Sequence, residues 1–191
     1  MTTAPSDVHP ATVAPALRTL YFVRFGFAVV WAIALALTAT TITPLTAALL
    51  VAYPVFDVVA AVVDHRASRA TRPARLLYVN MALSALAAIG LVFAAPAGRS
   101  AILVVWGLWA VTAGVVQLFV GISRRSLGGQ WPMILSGGIS VLAGIAFILQ
   151  SGSSSASVVS LAGYATLGGI FFLISAIRLH RAASATTAAT R

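Results

Sequence analysis

Apolar residues fall into six long blocks separated by short polar joints. The blocks lie at about 20–40, 45–63, 76–95, 101–122, 131–149 and 158–179. Each is about 20 residues long, the length a helix needs to cross a hydrocarbon core of about 30 Å. The joints are rich in residues that end helices or sit in water. They are a Thr-rich turn closing at Pro44, the stretch DHRASRATRPAR at 64–75, Pro96 to Ser100, SRRSLGGQ at 123–130 and a Ser-rich linker near 151–157. The flanks 1–16 and 182–191 are small and polar with no apolar period, and are expected as disordered tails. The pattern predicts an all-α integral membrane protein, with one six-helix transmembrane domain over 17–181.

Charge adds an orientation. The chain has 12 Lys+Arg against 3 Asp+Glu. Every one of the basic residues is arginine, and all but Arg99 stand at or near the start of the first block or the ends of the second, fourth and sixth. Basic residues accumulate in short cytoplasmic loops. Both termini and the joints at 64–75 and 123–130 are therefore expected in the cytoplasm, with 96–100 and 150–157 outside. The net charge of +9 does not indicate nucleic acid, because the arginines are divided among short joints beside apolar helices. There they orient the chain and attract anionic lipid headgroups. Arg18 and Arg24 ahead of Ala34-Leu35-Ala36 also fit a secretory leader. The apolar run is long for a leader core, so the block is assigned as a span.

A repeat supports that assignment. Arg18-Thr19-Leu20-Tyr21 opens the first block and Arg75-Leu76-Leu77-Tyr78 opens the third; Gln130-Trp131 opens the fifth. In the even blocks Tyr53, Trp109 and Tyr164 recur at near-constant spacing. The expected architecture is three parallel two-helix hairpins, related about the membrane normal.

Two sets of residues stand out within the spans. Gly107, Gly114 and Gly121 form a heptad stripe on the fourth, and Ser136, Ser140 and Gly144 a four-residue stripe on the fifth. Small residues let helix backbones approach in lipid, so both stripes are expected to pack against other helices, and Leu103 is expected to be a more tolerant position. The second set is polar: Arg24, Asp57, Asn80 and Gln117. Counted from the nearest basic or acidic residue at the cytoplasmic end, all four fall in one layer, about 7–11 Å deep at 1.5 Å per residue. An intramembrane charge is costly unless paired. Arg24 is expected to pair with Asp57, with Asn80 and Gln117 completing the hydrogen bonds. Such a cluster reads either as a clamp fixing helix register or as a path for protons or polar solutes.

Other chemistry is scarce. The chain has no cysteine, which excludes disulfides and thiol catalysis. His9, His65 and His180 are scattered, no metal or nucleotide motif occurs, and no cofactor is expected.

Val105-Trp106-Gly107-Leu108-Trp109-Ala110, Gly114-Val115-Val116-Gln117 and Arg124-Arg125 resemble the fourth helix of the HdeD-like family, also described as DUF308 short repeats. Trp131, Ser136-Gly137-Gly138-Ile139 and Leu142-Ala143-Gly144-Ile145 resemble its fifth, and Gly163-Tyr164-Ala165 with Gly168-Gly169-Ile170 its sixth. The resemblance is good over 100–181, whereas Tyr53-Pro54-Val55-Phe56-Asp57 departs from the glycine-rich pattern. It implies a small six-helix protein of the bacterial inner membrane, associated in enteric bacteria with acid resistance. A non-enzymatic role in envelope homeostasis or stress tolerance is expected, through lipid, a second copy or another membrane protein. A small transporter or channel using the Asp57 layer is the alternative, and a membrane enzyme the third reading.

Overall fold

The computed structural model describes residues 10–68, 74–123 and 131–189. Among them are six helices: α1 (Pro10–Thr38), α2 (Pro44–Ser68), α3 (Ala74–Ala97), α4 (Arg99–Ser123), α5 (Trp131–Ser151) and α6 (Ser160–Ala189). All six are long and apolar enough to cross a membrane. Their ends overrun the expected spans. The stretches 10–16 and 182–189, expected as tails, are helical. Both are rich in alanine, which loses no side-chain entropy in a helix, so the helix continues past the apolar block. The rest of each tail, and the joints 69–73 and 124–130, lie outside the described residues.

The joints at the other end are tight. Thr43 caps α2, its hydroxyl accepting from the Thr46 backbone N–H at 3.2 Å, with Pro44 as the first helical residue. Thr46 is fully buried and returns the tie, donating 3.1 Å to the Thr38 or Thr41 carbonyl. Pro96, expected to stop α3, lies inside its last turn. Gly98 makes the stop, at φ 98°, with its N–H bonded to the Ala94 carbonyl at 3.1 Å, and α4 starts at the next residue. Arg99 bonds the Thr40 carbonyl, joining this corner to the α1–α2 turn.

Helices adjacent in sequence touch, but the closest packing does not follow the expected hairpins. It joins α4 to α5, α1 to α6 and α2 to α3, while α5 and α6 touch least among neighbours in sequence. The reason lies in the small residues. A Cβ added at Gly144 would sit 2.6 Å from the Gly107 carbonyl oxygen, and one at Gly114 2.8 Å from that of Gly137. The α4 stripe therefore faces α5 at backbone contact, and Gly121 meets Ile134. On α5 the matching surface is the heptad pair Gly137 and Gly144, with Ser140 beside Gly114; Ser136 is not among the atoms nearest any of the three α4 glycines.

The central core gathers away from the arginine-bearing ends. It comprises the later turns of α1, α3 and α5 and the earlier turns of α2, α4 and α6, with Trp31, Leu35, Leu50, Leu91, Trp106 and Phe147 among its members. Leu103 is fully buried there, contrary to its expected tolerance, because α4 is covered by α3 on one side and α5 on the other. Trp31 stacks on Trp106 at 5.4 Å and meets Tyr53 edge-on at 4.6 Å; Trp109 meets Tyr53 at 6.2 Å. Offset and edge-to-face pairs at such separations are the favoured aromatic geometries.

Candidate functional site: the Asp57 cluster

Asp57 lies on α2 one turn beyond Tyr53 and Pro54, where the aromatic core gives way to polar side chains. Its two carboxylate oxygens are both engaged. Arg24 of α1 pairs with Oδ1. On Oδ2, Asn80 Nδ2 donates at 2.9 Å and Ser84 Oγ donates at 2.7 Å. Asn80 and Ser84 are one helical turn apart, so α3 presents both from one face. The Ser84 hydroxyl in turn accepts from Trp109 Nε1 of α4 at 3.2 Å. The Arg24 guanidinium carbon lies 4.6 Å from the centroid of the Phe172 ring on α6, within cation–π range. One carboxylate thus ties α1, α2 and α3 directly, and reaches α4 and α6 through a single further side chain.

The cluster is mostly shielded. The Arg24 and Asp57 side chains are 13% and 20% exposed, and Ser84 is fully buried. In such surroundings the carboxylate needs its donors, since an unpaired buried charge is far more costly than a paired one.

Arg24, Asp57 and Asn80 meet, but Gln117 does not join them. It is half-buried on α4 and makes no hydrogen bond with the other three. Depth along a helix does not specify direction around it: Gln117 and Trp109 are eight residues apart, about 80° in azimuth at 3.6 residues per turn. Trp109 is the α4 residue that reaches the cluster, through the length of its indole. The sequence reading missed Ser84, which its place four residues after Asn80 could have signalled; Trp109 stood out only for its repeat spacing and Phe172 not at all, because aromatic residues in apolar spans usually read as core.

A second bond copies the first. Tyr164 of α6 donates to Ser140 of α5 at 3.0 Å, as Trp109 of α4 donates to Ser84 of α3. Each partner sits 55 or 56 residues beyond its counterpart. Position 28, at the same spacing before Ser84, is Ala28, and among the described residues the Tyr53 hydroxyl has no hydrogen-bond partner. Trp106 is fully buried, and its Nε1 has no partner among the described residues. No group of three or more His, Cys, Asp or Glu able to hold a metal occurs among the described residues.

No curated protein and no solved structure is matched by the chain. Residues 81–149 match the family model described as "Short repeat of unknown function (DUF308)". The match runs from Met81 of α3 through α4 to Leu149 of α5, and so contains Ser84, Trp109 and the α4–α5 glycine contact; Arg24, Asp57 and Asn80 precede it. The described residues thus form six helices of a multi-pass membrane protein, and the part from α3 to α5 matches the DUF308 short repeat.

Proposed function

We propose that this is a non-enzymatic protein of a bacterial inner membrane, both termini cytoplasmic, that supports envelope homeostasis or stress tolerance, acid stress included, through lipid or protein partners. Its three repeats of about 55 residues form one bundle, and the Asp57 cluster is the clamp that sets helix register. The observation that carries this reading is the engagement of Asp57. Both oxygens are taken by donors from α1 and α3, which suits a fixed structural tie better than a group that must exchange partners. The arginine distribution supports the orientation.

The test is survival of a strain lacking the gene after acid and envelope challenge. Wild-type protein should restore survival, and so should a folded variant combining Arg24→Leu with Asp57→Asn. Unchanged survival in the deleted strain would remove the stress role. The second reading, a small transporter or channel, is favoured by the residual exposure of Asp57 and by a core gathered on one side of it. A double variant that folds at wild-type levels but restores nothing would select that reading.

A further inference from the structure

A groove of about 550 Å³ runs along the α1–α6 pair at its arginine-bearing end, lined by Arg18, Thr19, Phe22, Val23 and His180. The Arg18 guanidinium donates to His180 Nδ1 at 3.0 Å, so the two polar side chains are held together at one end of the groove. The guanidinium has five N–H donors, and this bond uses one. Phe22 and Val23 are 43% and 52% exposed. They lie four and five residues after Arg18, about 6–7.5 Å farther along α1 and toward the interior of the span. The groove therefore grades from cationic to apolar along the helix axis. A phospholipid has the same gradient, from phosphate to acyl chain. Charge selects the lipid class. Arg178 and Arg181 are exposed on the same helix as His180, and neither α1 nor α6 contains an acidic residue.

We propose that this groove binds one anionic phospholipid, with its phosphate on Arg18 and His180 and an acyl chain along Phe22 and Val23. The site deepens the lipid-partner reading above and rests on the chain being embedded in a bilayer. Its position gives the lipid a structural consequence. α1 and α6 are the first and last of the described helices, closely packed though far apart in the chain, and a lipid in this groove bridges their seam.

Native mass spectrometry of the full chain, purified in detergent and titrated with phosphatidylglycerol or phosphatidylcholine, tests this. The wild type should retain one phosphatidylglycerol, and phosphatidylcholine should bind more weakly. Arg18→Gln should lower phosphatidylglycerol occupancy about fivefold, for the loss of one arginine at the membrane surface, and His180→Leu should lower it by less, through loss of the ring that holds the guanidinium in place. Arg75→Gln removes an exposed arginine at the start of α3 and should change nothing. Equal retention of the two lipids, or an equal loss with Arg75→Gln, would overturn the site. Displacement of the lipid by an equimolar amount of inorganic phosphate would also overturn it, and would mark a free-anion site. If Arg18→Gln does not fold, His180→Leu decides alone. Occupancy is read on purified protein, so a failure here is distinct from a failure of the stress role.

Discussion

Ser84 on α3 accepts a hydrogen bond from Trp109 on α4 while donating its own proton to Asp57. A hydroxyl is the smallest side chain able to do both at once. The chain of bonds explains why a fully buried serine sits between aromatic core and charged pair.

Ser84→Ala should therefore be costly for a one-atom change. It removes one donor from the carboxylate and strands the Trp109 N–H, at about 1–3 kcal/mol for an unsatisfied buried group. Thr112→Ala is the comparison. Its hydroxyl bonds only the Leu108 and Trp109 carbonyls of its own helix, so its loss should be near neutral. Thermal unfolding in detergent measures both, and equal shifts would mean that the Ser84 bonds carry no stability.

Two glycines on α5 should behave in opposite ways. A Cβ at Gly144 meets backbone: the Gly107 oxygen at 2.6 Å and the Val111 nitrogen at 2.8 Å. Backbone cannot rotate aside, so Gly144→Ala should push α5 off α4 at about 1–3 kcal/mol, the usual cost of overpacking. Gly138 has nothing within 4 Å of its added Cβ, and Gly138→Ala should be neutral or stabilising by up to about 1 kcal/mol. The yield of monodisperse protein and its melting temperature separate the two; matched behaviour would contradict the close α4–α5 approach.

The spans and the α4 stripe were legible because both are one-dimensional signals. A block of apolar residues sets a length, and glycines at 107, 114 and 121 set one line along a helix. The Arg24–Asp57 pair was legible from matched depth, since opposite charges at one level in a low-dielectric layer draw together. What failed was azimuth and neighbour choice. Gln117 has the right depth but not the direction. The stripe on α4 does not say whether α3 or α5 receives it, and the answer, α5, shifts the tight pairs by one helix from the expected hairpins. On α5, spacing by four favoured Ser136, whereas the contact uses Gly137, the residue seven before Gly144.

Topology is open to a direct check, because the chain has no native cysteine. A cysteine at Ser154, exposed in the α5–α6 connection, should react with an impermeant thiol reagent in intact cells. One at Ser68, at the end of α2, should react only after the membrane is opened. The reverse pattern would invert the orientation and place the arginine-bearing ends outside.

The last prediction concerns how Arg24 and Asp57 share their cost. Arg24→Leu leaves Asp57 with Asn80 and Ser84 still bonded, so the carboxylate keeps two of its three donors. Asp57→Asn leaves the guanidinium without its carboxylate: with the amide oxygen kept on Asn80 and Ser84, which already share Oδ2, the amide NH2 faces Arg24 donor to donor. Asp57→Asn should thus be the more damaging single change, on the order of 3 kcal/mol, as for breaking other shielded pairs. Combining the two should recover part of that loss, because no unpaired ion remains. Melting temperatures of the four proteins in one detergent close a double-mutant cycle. A coupling energy near zero would show that the pair does not act as a unit, and a milder effect for Asp57→Asn would mean that the guanidinium finds other acceptors or reaches water.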